Sequence, residues 1–232
     1  MGKEARLWAK EHRDGNKWNI WLALIVVGAI SGAATSCISM IFGSSSDPNE
    51  VNAIGELLTS IVEVAIIPIQ IGLILYIVNL VKGKKYELGQ LFSKYSQFVR
   101  IFVTSLLQGI FIFLFTLLLI IPGIIRAISY FLVNYILADS DFDDMQPKEI
   151  LDLSREIMDG HKMEYFTMNL YYFLMMIVGC FTFGILWIWT IPEMNLANAK
   201  FATDLLEEYK KNNNKIEKEK IETKKNAEKQ ED

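Results

Sequence analysis

Residues 111–121 read FIFLFTLLLII, and residues 66–81 read IIPIQIGLILYIVNLV; neither stretch holds a charged side chain. A helix of such composition has no polar face to offer water, and about 20 apolar residues are enough to cross a hydrocarbon core of about 30 Å. These two runs make the chain a membrane protein. The rest of the composition agrees, because the 22% of residues that are charged are nearly absent from residues 20–42, 64–81 and 101–125. A water-soluble domain would show polar positions at every turn there. The formal net charge of -4 averages a basic amino-terminal stretch, an acidic central loop and a mixed tail, so it gives no indication of nucleic acid as a partner.

Outward from these runs, the distribution of cations sets the orientation. Apart from Arg126, the lysines and arginines fall in four stretches that the apolar runs place on one side of a bilayer, and such a bias marks the cytoplasmic side. The expected fold is all-α, an integral bundle of six transmembrane helices with both termini cytoplasmic. The spans fall at about 18–42, 54–81, 98–121, 124–138, 164–180 and 185–206, within a membrane domain of residues 1–208. The first run follows Lys3, Arg6, Lys10, Arg13 and Lys17 but is too long for a signal core of roughly 7–15 residues, so it reads as a retained helix. Gly28, Gly32 and Ser36 give it a small-residue stripe suited to close helix packing. The loop with Asp47, Pro48 and Glu50 lacks cations and faces out, whereas the next loop, from Lys82 to Arg100, faces in.

Pro122-Gly123 predicts a tight hairpin between the third and fourth spans. The hydrophobic run over residues 163–201 is about twice the length a single crossing needs, and GCFTFG at residues 179–184 is the expected turn that folds it into two helices. Between them, Pro147 opens an amphipathic helix with Asp143 and Asp144 as candidate caps. Its Ile150, Leu151, Ile157 and Met158 share one face, which predicts an amphipathic helix lying in the membrane interface between the fourth and fifth spans, with a connector packed under the bundle as the alternative. The tail over residues 212–232 has six lysines and six acids with few apolar side chains, which predicts disorder or a frayed helical extension.

Motifs that carry chemistry are scarce. Asp139, Asp141 and Asp143 imitate the start of a calcium loop, but Asp144 stands where the turn glycine belongs and Ile150 where the closing glutamate belongs. His12 and His161 have no companions at zinc-ligand spacing, and no phosphate-binding glycine loop, nucleophile elbow or metalloprotease helix is present. No cofactor or metal is expected, and the chain does not read as an enzyme. Cys37 and Cys180 both lie near the predicted outer ends of their helices, so a disulfide is conceivable, although buried thiols are commoner.

The informative residues are the ionisable groups inside the apolar runs, where a charge costs at least about 2.5–3.5 kcal/mol. Glu56 and Glu63 share a face of the second helix, Arg126 begins the fourth, and Glu193 follows Pro192 in the sixth. At 1.5 Å per residue, Glu63 and Glu193 fall about 14 Å below the outer surface. A cluster of Arg126 with Glu56, Glu63 or Glu193 would line an outward-facing polar cavity, extended by Asn134, Asn195, Asn198 and Gln70. Alternatively, Arg126 and Glu56 snorkel to the interface, while Glu63 and Glu193 act as neutral hydrogen-bonding links between helices.

The stretches IIPGIIRAISYFLVNYILAD (120–139), SREIMDGHK (154–162) and FGILWIWTIP (183–192), with AKEHRDGNKW (9–18) before the first helix, resemble the bacterial multipass membrane family catalogued as domain of unknown function 975. The resemblance implies an all-helical bacterial membrane protein without implying an activity. Family members tend to carry tyrosine after the final proline, where this chain has Glu193.

Two functions are compatible with these features. The first is transport or binding of a small molecule, lipid or peptide through the outward cavity. The second is a non-catalytic scaffold or accessory subunit that acts through the cytoplasmic helix and tail. The expected partners are membrane lipids and either another protein or a second copy of the chain, in the bacterial cytoplasmic membrane.

Overall fold

The computed structural model describes the backbone of residues 1–42 and 53–231, and the side chains of residues 1–41 and 54–215. The expected outer loop with Asp47, Pro48 and Glu50 lies outside the described residues. Every regular element among the described residues is helical: α1 (Gly2–Phe42), α2 (Ala53–Val81), α3 (Phe98–Leu118), α4 (Ile120–Ser129), α5 (Val133–Ala138), α6 (Pro147–Met158), α7 (Lys162–Phe181) and α8 (Trp187–Glu231). Short 3-10 segments, Leu88–Gln97 and Ser140–Phe142, join α2 to α3 and α5 to α6. Four helical stretches are long and apolar enough to cross a membrane: residues 2–41, 54–81, 88–118 and 120–138.

The core lies at the end of the molecule that carries most of the charge. Ala5, Ala9 and Ile20 of α1, Leu132 just before α5, Ile136 and Leu137 of α5, Ile150 and Met158 of α6, and Phe201 and Ala202 of α8 are all essentially inaccessible. The opposite ends of the long helices expose their large apolar side chains, among them Met40, Ile41, Ile54, Leu57, Leu117, Leu118 and Phe183. Burial of apolar surface stabilises the charged end as it would a soluble domain, while the other end leaves its side chains for lipid.

Individual elements depart from the sequence reading for identifiable reasons. Helix α1 begins at Gly2 rather than near residue 18, because Ala5 and Ala9 are buried in the core and α1 packs along α8, which makes the basic segment part of the same helix. The hairpin predicted at Pro122-Gly123 turns at Leu119 instead, whose φ of -162° and ψ of 142° are extended. Pro122 then occupies the first turn of α4, where a missing amide donor costs nothing. Gly123 is the contact point of the hairpin, since a Cβ there would collide with Thr116 of α3. The turn expected at residues 179–184 comes slightly later: α7 runs to Phe181, and the reversal uses Phe183 and Gly184, at φ 50° and 82°.

Helix α6 is capped not by Asp143 or Asp144 but by Gln146, whose backbone amide donates to Glu149 Oε2 at 2.8 Å. Ser154, fully buried, donates to the carbonyl of Ser129 at 2.9 Å, and Ile150, Leu151 and Leu153 are buried as well. The apolar face expected to lie in the membrane interface is thus buried against the protein, which makes α6 the connector packed under the bundle. Among the described side chains the last buried residue of α8 is Leu206, and the helix continues to Glu231, so the backbone of the tail is helical through that point.

Candidate functional site

The ionisable groups inside the apolar runs do not converge. Glu193, 6% exposed, accepts from Arg13 Nη1 at 2.9 Å and from the Tyr172 hydroxyl at 3.4 Å. Its cation therefore comes from the amino-terminal segment of α1, and Arg126 takes no part. Antiparallel packing of α1 on α8 brings this about, because Lys17 lies over the Trp189 ring and Trp21 Nε1 donates to the Ile188 carbonyl at 2.9 Å. Sequence reasoning missed Arg13 because it placed residues 1–17 in water, below the bundle. The available signal was the repeat of small residues at Ala5 and Ala9, which lets α1 continue as a packed helix.

The remaining candidates are spread over separate surfaces. Glu56, Glu63 and Gln70 are exposed along α2, and no ion pair joins either glutamate to another described residue. Asn195 donates to the Ile191 carbonyl within its own helix, and Asn198 accepts from Asn169 of α7 at 3.3 Å. Asn134 is half-buried in α5. The expected cluster of Arg126 with Glu56, Glu63 or Glu193 is thus not assembled.

Arg126 has a site of its own. Its guanidinium carbon sits 4.3 Å from the centre of the Phe115 ring, 5.3 Å from that of Tyr130 and 6.0 Å from that of Phe111. These ring faces attract the charge but accept no strong hydrogen bond. The buried Nε has no hydrogen-bond partner among the described residues. A cavity of about 550 Å³ opens beside it, between the α3–α4 hairpin and α6, lined also by Arg155, Glu156 and Lys162.

The aspartates that imitated a calcium loop hold cations from elsewhere in the chain. Asp139 and Asp141 accept from Lys210 of α8, the first at 2.7 Å, while Asp143 accepts from Lys94 Nζ at 3.3 Å and lies 3.5 Å from Arg100. The hydrogen bond from Lys210 keeps Asp141 below its ordinary carboxyl range. Burial disfavours the Lys210 charge, but its bonds to Asp139 and Asp141 outweigh that penalty and raise its pKa. These contacts fasten α8 to the α5–α6 connection.

The cysteines are both free and exposed. Trp187 Nε1 donates to the Met176 carbonyl and Trp21 bonds next door at Ile188, so the α7–α8 turn stands near the level of Trp21. Cys37 lies about 24 Å further along α1, at 1.5 Å per residue, well beyond disulfide reach.

No curated protein and no solved structure matches the chain. The family match covers about two fifths of it and leaves out the amino-terminal stretch that carries Arg13. Residues 115–208, from the Phe115 side of the Arg126 cavity through the core-packed part of α8, match the model of the family described as "Protein of unknown function (DUF975)".

Proposed function

We propose that the protein is a non-catalytic scaffold or accessory subunit of the bacterial cytoplasmic membrane, with both termini cytoplasmic. The observation that carries this reading is helix α8. It is fastened to the bundle as far as Lys210, which holds Asp139 and Asp141, and continues as a helix to Glu231, about 31 Å further at 1.5 Å per residue. An isolated polar helix gains too little from its own hydrogen bonds to be stable, and a partner along it supplies the missing contacts. The dispersal of Glu56, Glu63, Arg126 and Glu193 removes the principal support for an outward transport cavity.

The count of crossings belongs to the same proposal. Hydropathy gives six. Packing against α1 favours a different division of labour: Met1 lies 3.4 Å from Glu164, Arg6 lies 4.3 Å over Tyr171, and Trp21 meets Ile188, so α7 and α8 run beside the charged half of α1. Helix α1 continues about 30 Å beyond Trp21, a bilayer thickness. In this arrangement α1 and α2 form the complete crossing, and the apolar tips of the α3–α4 and α7–α8 hairpins enter from the basic side. Either count is even and keeps the termini together.

Complementation of a chromosomal deletion tests the function. The full chain and Glu63→Ala should restore the wild-type phenotype, and a chain ending at residue 211 should not. Rescue by the truncated chain with failure of Glu63→Ala would overturn the scaffold and restore the cavity.

A further inference from the structure

We propose that the cavity beside Arg126 binds the headgroup of a zwitterionic glycerophospholipid, with the phosphodiester on Arg126 and a primary amine on Glu156. This inference is independent of any protein partner of α8.

The argument begins with what the cavity leaves unpaired. Arg155 and Lys162 each hold a carboxylate one helical turn away, Asp152 at 3.3 Å and Asp159 at 3.0 Å. Arg126 has aromatic faces around its guanidinium but no carboxylate and no acceptor among the described residues, although its Nε is shut off from water. A buried donor without a partner is costly, and a guanidinium in a partly apolar setting matches the paired oxygens of a phosphate. The side chain of Glu156, in the same lining, also has no hydrogen bond or ion pair within the described residues. One unpaired cation and one unpaired anion across one cavity fit a ligand that carries both charges.

Position identifies the source of the phosphate as lipid. Ser129, three residues after Arg126 in α4, bonds to Ser154 of α6, so the guanidinium lies only about one turn above the helix that floors the bundle. Immediately above it the α3–α4 hairpin exposes Leu117, Leu118, Ile121, Ile124 and Ile125. A polar cavity at the foot of an apolar surface has the layout of a phospholipid, with the headgroup in the cavity and the chains along the hairpin. A free phosphate would use the first part and leave the second unexplained.

The full chain in detergent, delipidated and then titrated with short-chain phosphatidylethanolamine, phosphatidylcholine, phosphatidylglycerol or inorganic phosphate, tests this by native mass spectrometry. Phosphatidylethanolamine should bind one to one, and Arg126→Gln should weaken it by about tenfold or more, the effect of losing a hydrogen-bonded charge. Arg126→Lys should recover only part of the loss, since it restores charge without the fork. Glu156→Gln, at an exposed position on α6, should leave the fold intact and abolish the preference for ethanolamine over glycerol headgroups. Equal binding of phosphatidylglycerol by the wild type would overturn the amine assignment, and competition by inorganic phosphate at lipid concentrations would overturn the lipid. Unchanged binding in both Arg126 variants would sink the site itself.

Discussion

Removing the guanidinium of Arg13 should destabilise the protein more than neutralising its partner Glu193. The carboxylate is almost fully buried, and after Arg13→Ala it would keep only the 3.4 Å bond from Tyr172. Stranding one member of a buried ion pair costs about 3–5 kcal/mol. The Arg13 side chain is itself 20% exposed, so water reaches its end of the pair and the lower figure, about 3 kcal/mol, applies. Glu193→Gln keeps a side-chain oxygen that can still accept from Arg13, and Arg13 retains Asp14 at 3.3 Å, so the loss should be about 1–2 kcal/mol. The double variant should fall short of the sum by about 1–2 kcal/mol, because the second change removes a group the first has already stranded. For a chain of this length about 3 kcal/mol corresponds to a fall of about 6–12 °C in Tm, readable by tryptophan fluorescence in detergent. A Tm within 2 °C of wild type for Arg13→Ala, or additive losses in the double variant, would show that the α1–α8 contact is not the determinant argued above. Arg126→Ala with Glu63→Ala should be additive and serves as the control.

Three further outcomes follow from the packing. Gly72→Ala should cost about 1–3 kcal/mol in the same assay, because its Cβ would run into the backbone of Leu91, whereas Gly28→Ala, with open space around it, should leave Tm unchanged. Oxidation of intact protein should give no intramolecular Cys37–Cys180 crosslink on a non-reducing gel; a shifted monomer band would contradict the placement of the α7–α8 turn beside Trp21. The contact of Lys210 with Asp141 should respond to pH at its two extremes. The depressed Asp141 pKa contributes stability above the ordinary value of 3.8, lost as pH falls through the lower folded value, and the raised Lys210 pKa contributes below 10.5, lost as pH rises through the higher one. Amide exchange around residues 205–211 should therefore be level between about pH 5 and 9 once corrected for intrinsic rates, and a marked loss of protection inside that window would count against the latch.

Much of this molecule is written in short-range pattern. The helical class and the bounds of α2 follow from apolar runs too long and too uncharged for water, a property each stretch has by itself. The opening of α6 at Pro147 is equally local, since proline fits the first turn of a helix without losing a hydrogen bond. Other features depended on neighbours far along the chain. Arg13 meets Glu193 at a sequence separation of 180, and Asp139, Asp141 and Asp143 find their cations on α8 and on the segment before α3. Nothing in the spacing of charges within one helix says which partner on another will lie opposite, because that depends on the register and angle at which the helices pack. Hydropathy fixed that these helices meet lipid; only their tertiary packing decided which charges are paired within the bundle and that Arg126 is left facing an open cavity.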